Sequence, residues 1–161
     1  MATDETVIDS TVKKTISVKA PKEVAWRVFA ERMSTWWPLA THKLGKGPAK
    51  EVVLEPRAGG RWYERGEDGS TCDWGHVLTW EPTERLVLSW EISASWQSDP
   101  SIKTEVEVRF FAEGAAVTRV ELEHRKLDAY GAETEVMRGQ FDSPGGWPGL
   151  LEAFAARAAA D

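Results

Sequence analysis

Apolar and polar residues alternate over most of the chain with the two-residue period of a strand rather than the 3.6 of a helix. In the first such stretch Val12, Lys14, Ile16 and Val18 share one face. Six more follow, at 51–55, 61–65, 73–80, 85–92, 103–111 and 116–124, each closed by turn-forming residues. The connections Gly59-Gly60, Glu67-Asp68-Gly69, Glu81-Pro82-Thr83 and Glu113-Gly114 are short, which predicts antiparallel neighbours in a meander. The alternation also assigns faces. Leu86, Leu88, Trp90 and Ile92 point one way and Val87, Ser89 and Glu91 the other; Val106, Val108 and Phe110 point inward, as do Val120, Leu122 and His124. Glu105, Glu107, Arg109, Arg119, Glu121 and Glu123 are left on a solvated outer face.

Three segments carry helical spacing instead. Pro21 suits a first helical position, with Glu23 at the positive end and Ala25, Trp26 and Phe29 on one side. A second short helix is expected over 30–37, ending at Trp36-Trp37-Pro38 because proline disfavours helix in the residue before it. The last runs over 144–158 with Ser143 as N-cap, and Trp147, Leu150, Leu151, Phe154 and Ala158 fall on one face. Gly145, Gly146 and Gly149 weaken its first turns, which predicts a mouth that breathes there. The stretches 39–50, 94–102 and 126–142 read as loops, the last with room for a helical turn. One strand, two short helices, six strands and a long helix make a β-α-α-β6-α order: a flexible stretch at 1–10, then a single domain over 11–161.

Composition narrows what such a domain does. A net charge of −6 disfavours nucleic acid as a partner. No apolar run approaches the ~18 residues of a membrane span, and the polar, acidic start is unlike an export signal, so a cytoplasmic protein is expected. Cys72 is the single cysteine, and no His- or carboxylate-rich motif occurs, so no metal and no cofactor are expected. The nine tryptophans are the outlier. Trp suits cores, pocket walls and interfaces alike.

Several stretches resemble a known group. They are Ala20-Pro21-Lys22-Glu23-Val24-Ala25-Trp26, Trp36-Trp37-Pro38, Pro56-Arg57-Ala58-Gly59-Gly60-Arg61-Trp62, and Gly75-His76-Val77 through Trp80-Glu81-Pro82 to Leu88-Ser89-Trp90. Thr118-Arg119-Val120-Glu121-Leu122-Glu123-His124, Gly146-Trp147 and Leu150-Leu151 continue the series. In this order they resemble the activator-of-heat-shock-protein-90-ATPase-like group of the SRPBCC (START-like, birch-pollen-allergen-like) superfamily. The resemblance implies an α+β helix-grip fold: a curved, seven-stranded antiparallel sheet, two short helices, and one long C-terminal helix over a cavity that takes apolar or amphipathic ligands. It also implies a tie to the stress response. The co-chaperone that names the group carries a separate N-terminal domain that also binds the chaperone; no such domain is expected here, and a chaperone partner is expected to be weak.

The expected function is therefore to hold a hydrophobic, aromatic small molecule. Trp37, Trp62, Trp74, Trp90, Phe110, Trp147 and Leu151 are the candidate walls, with His76 or His124 as polar anchor. Trp36 and Trp96 belong to the same aromatic set, and some of these rings should offer N–H groups to a ligand. No acid is placed by spacing to orient either histidine, so no catalytic residue is assigned; His42 is expected to be exposed. A protein-interaction module and a cavity enzyme of the cyclase or hydrolase type are the alternatives. A homodimer is compatible with each.

Overall fold

In the computed structural model, which describes residues 10–161, seven strands form one antiparallel sheet. The stretch expected to be flexible, 1–10, lies outside the described residues except for Ser10, whose carbonyl accepts from Leu127 N. The strands are β1 (Val12–Val18), β2 (Ala49–Leu54), β3 (Arg61–Gly66), β4 (Thr71–Glu81), β5 (Arg85–Trp90), β6 (Thr104–Ala112) and β7 (Thr118–Arg125). Their order is β1-β7-β6-β5-β4-β3-β2, so β2 to β7 meander and β1 adds beside β7. Register follows the alternation: Leu88 faces Val106, which faces His124, and Leu86 faces Val108, which faces Leu122.

β4 carries the irregularities that curve the sheet. Trp62 pairs with Gly75 while Tyr63 pairs with Asp73, and Val77 pairs with Leu88 while Thr79 pairs with Val87. Trp74 and Leu78 are thus extra residues, and each bulge resets which face the next residue takes. Trp74 and Val77 are both buried, and His76 between them turns outward. Gly75 is required here, because a Cβ would lie 1.9 Å from the Ser89 carbonyl oxygen.

The helical segments depart from expectation in three places. Helix α1 (Lys22–Trp26) widens into a π turn, Arg27–Glu31, and then a 3-10 turn, Met33–Thr35, instead of a second α-helix. Trp36 Nε1 donates to Val28 O at 2.9 Å within this irregular backbone. The stretch expected as a loop at 126–142 is mostly helical: a 3-10 segment, Leu127–Glu133, kinked at Gly131, leads into α2 (Thr134–Phe141). Helix α3 (Trp147–Ala160) begins at Trp147, not at 144. Ser143 does not cap it, since its hydroxyl donates to Gln140 O at 2.7 Å. Gly146 precedes the helix because a Cβ there would lie 2.4 Å from the Gln140 and Phe141 carbonyl oxygens.

The two faces of the sheet differ in kind. Trp26, Phe29, Phe110 and Phe154 fill one end of the concave face. On the convex face Glu107 is not in water as alternation suggested. It is 4% exposed and accepts from Arg85, Arg109 and Arg125 at 2.9, 2.9 and 2.5 Å. Burial disfavours its charge, but the three guanidinium hydrogen bonds win and hold its pKa at about 2.

Candidate functional site

The other end of the concave face is hollow. A cavity of about 410 Å³ lies between β4–β5, the loop after Trp37 and the start of α3. Trp37, Trp74, Trp90 and Trp147 form its wall with Ile92, Phe141 and Leu150; Thr41, His42, Lys43, Gln140 and Ser143 supply its polar rim.

The wall rings are fixed from behind. Trp37 Nε1 donates to His42 O at 2.9 Å, which anchors the ring to the covering loop. Trp74 Nε1 donates to Glu64 Oε1 at 2.8 Å. The same carboxylate accepts from Leu44 N and Gly45 N at 2.5 and 2.9 Å, so one buried acid on β3 holds both a wall ring and the loop that closes over it. Trp147 Nε1 donates to His124 Nδ1 at 3.0 Å. Three of the four wall tryptophans thus use their N–H groups inside the protein, whereas the buried Nε1 of the fourth, Trp90, has no hydrogen-bond partner among the described residues.

His124 is fully buried, stacked on Phe141 at a centroid distance of 4.3 Å. The Thr104 hydroxyl donates to Trp90 O at 3.0 Å, so it accepts from His124 Nε2 at 2.8 Å. One ring nitrogen donates and the other accepts, as a neutral imidazole requires. Burial disfavours the charged form and takes the pKa down to about 3. His124 is a brace for Trp147, not a group open to the cavity.

Of the other expected wall residues, Trp62 and Leu151 lie behind the lining, and Phe110 sits in the filled end. Trp62 buttresses the wall, with ring centroids 5.4 Å from Trp74 and 5.8 Å from Trp90. His76 is on the convex side, where its Nδ1 lies 3.0 Å from Glu91 and its backbone N–H donates to Ser89 Oγ at 2.8 Å. The bulge at Trp74 put it there, and it anchors nothing in the cavity.

Sequence reasoning missed Glu64, although alternation from Trp62 places it on the inner face. It also missed Thr41, Gln140 and Phe141, for which no periodic signal exists. His42 is half-buried and part of the rim rather than exposed. Trp96 stands at the mouth, 42% exposed, on a backbone with φ of 61°. A bulky residue held in the left-handed region is strained by its surroundings.

A sheet that grips a C-terminal helix over an aromatic cavity defines a protein of the helix-grip, START-like class. Sequence comparison refines this: the chain belongs to the family described as Activator of Hsp90 ATPase homolog 1-like protein, whose model matches residues 19–159. Among solved structures it is similar to Txn09, described as an anthrahydroquino-gamma-pyrone synthase complexed with SUM. Identity is 38%, over 92% of this chain and 96% of that one, with a TM-score of 0.64. It is also similar to CalC, a self-sacrificing resistance protein from Micromonospora echinospora, at 29% identity over 94% and 96% of the two chains and a TM-score of 0.66. The Aha1 dimer from Colwellia psychrerythraea shares the fold at 13% identity, over 92% of this chain and 96% of that one, with a TM-score of 0.60. No curated protein matches the chain. Among the described residues no helix is long and apolar enough to cross a membrane.

Proposed function

We propose that this protein binds a flat, largely apolar polycyclic aromatic molecule of the aromatic polyketide kind in the cavity under the start of α3. The observation that carries the reading is the wall itself: four tryptophans, three of them tethered through their N–H groups, around about 410 Å³, a volume within the range of small-molecule sites. Ring faces and edges suit stacking on another aromatic system. The similarity to Txn09 across nearly the whole chain supports the same ligand class. A reducing, cytoplasmic setting belongs to this reading, since Cys72 has no partner for a disulfide.

Docking on a chaperone or another protein has less support. The large apolar side chains exposed among the described residues are Leu78, Trp96 and Val136, and they lie on three different segments. A cavity enzyme built on His76 or His124 has none, because one is outside the cavity and the other is dry and fully bonded.

Alizarin, a hydroxylated anthraquinone, is a direct probe. Titrated into the protein, it should quench tryptophan fluorescence saturably with a dissociation constant on the order of 10 µM. Leu150→Trp, which fills the cavity, should abolish that quenching while the protein remains folded. Quenching that stays linear in dye, or is unchanged in Leu150→Trp, would overturn the reading.

A further inference from the structure

Thr41, His42 and the Gly145 carbonyl stand in line at the cavity mouth, and all three line it. His42 Nε2 lies 2.8 Å from Gly145 O. A carbonyl only accepts, so this nitrogen carries the ring proton and Nδ1 is left bare. Thr41 Oγ1 lies 2.7 Å from Nδ1 and donates to it. The other acceptor within reach of Thr41, Pro38 O, is at 3.4 Å, too long to compete. Hydroxyl, imidazole and an orienting acceptor thus repeat the arrangement that activates a hydroxyl, with a backbone carbonyl as the orienting group. Lys43 is the one charged side chain in the lining, and its Nζ lies 2.6 Å from Gly45 O. Glu64, the acid bonded to this loop, is occupied by Trp74 and two backbone N–H groups. A bare imidazole nitrogen relayed through a hydroxyl, beside one cation and an apolar wall, suits a ligand that gives up a proton.

We propose that Thr41 and His42 form a proton relay that ionises a phenolic hydroxyl of the aromatic ligand, so that the site activates a hydroxylated polycyclic aromatic as its phenolate. The inference rests on the binding reading above. The ligand O–H bond breaks and its proton joins Thr41 Oγ1, while the proton already on Thr41 passes to His42 Nδ1. Phenolate and imidazolium result, and Nε2–H stays on Gly145 O. Reversal returns the proton to the ligand, so the pair serves as base in one direction and acid in the other, without oxidant, reductant or co-reactant. A phenolate raises electron density on the ring carbons, which is what ring closure or a keto–enol shift on such a molecule needs.

The test uses alizarin again, because its visible band shifts when a hydroxyl ionises. At matched pH and with protein in excess, the phenolate-to-phenol ratio of the bound dye should be about tenfold higher on the wild type than on His42→Gln, one pKa unit in the dye. Gln keeps an N–H for Gly145 O but takes up no proton. Thr41→Val should lose the same shift and Thr41→Ser should keep it, with each variant still quenched saturably so that the ratio is read on bound dye. Circular dichroism checks that each variant is folded. If bound alizarin ionises on Thr41→Val and His42→Gln as it does on the wild type, the relay is wrong and the binding reading stands. If wild type gives no saturable quenching, both fall.

Discussion

The two ends of the concave face use the same kind of side chain and reach opposite results. At the filled end Phe29 meets Phe154 and Phe110 edge to face, with ring centroids 5.1 and 6.1 Å apart, and Trp26 meets Phe110 at 5.4 Å. At the hollow end Trp37 stands 5.0 Å from Trp74 and 6.2 Å from Trp147, and Trp147 stands 5.8 Å from Trp90, yet these rings enclose an open volume. Ring spacing is nearly the same, so composition does not explain the void. The difference lies in what holds each ring. Phenylalanine has no polar tip and settles wherever packing is densest. Three of the four wall tryptophans are pulled back by hydrogen bonds to Glu64, His124 and the His42 carbonyl, and a tethered ring does not swing inward to close the gap. The filled end also has the π turn pressed onto it, whereas α3 begins only after the tight turn at Gly146 and leaves the other end to a loop.

Breaking each end in turn sharpens the comparison. Phe154→Ala should have the largest effect, a loss of about 3–5 kcal/mol in chemical denaturation, because a fully buried ring leaves a cavity its neighbours do not refill. Its alizarin affinity should stay within about twofold of wild type. If affinity falls tenfold instead, the two ends are one mechanical unit and the comparison fails.

His124→Gln comes next, at about 2–3 kcal/mol, since it disturbs the acceptor of Trp147 and the partner of Thr104 inside an apolar shell. It should also weaken alizarin binding about tenfold by freeing the Trp147 ring. The same residue sets a pH signature. Its folded pKa of about 3 lies below the ordinary 6.5, so the unfolded chain binds the proton first, and stability present above pH 6.5 is lost as pH falls toward 3. That loss reaches about 2 kcal/mol by pH 5. Glu107, depressed to about 2 from 4.5, contributes only below pH 4.5. Denaturation midpoints between pH 7 and 5 should therefore fall less steeply in His124→Gln, with the decline below pH 4.5 intact.

Trp96→Ala should be the smallest perturbation, within about 1 kcal/mol of wild-type stability, because the ring is half in water and its backbone is strained. A threefold rise in the alizarin dissociation constant would place Trp96 at the mouth as a cover. An unchanged constant would make it an ornament of the loop.

Alternation along β5, β6 and β7 assigned their faces correctly, because those strands pair without interruption and a two-residue period survives only in an unbroken ladder. It failed at His76, where the extra residue Trp74 shifts the phase of everything after it. It failed at Glu107 for another reason: facing outward is a statement about the sheet, and three arginines from β5, β6 and β7 cover that carboxylate from the solvent side. In the sequence the helical stretch at 134–141 reads as no more than a turn within a loop because Gly131 and Gly139 sit on either side of a short apolar signal.

By itself, then, the chain determined its seven strands, the antiparallel meander of β2 to β7, the inward residues of the regular ladders and the wealth of tryptophan, all of which follow from local periodicity and turn chemistry; the place of β1 beside β7 did not follow from these. Only the tertiary structure decided which tryptophans bound a cavity and which fill a core. That choice depends on tethers between residues far apart in sequence, such as Trp74 with Glu64, Trp147 with His124, and His42 with Gly145 across 103 positions. A hydrogen bond between distant side chains leaves no period in the sequence, because it is created by the meeting of a loop, a strand and a helix start that the curved sheet brings together.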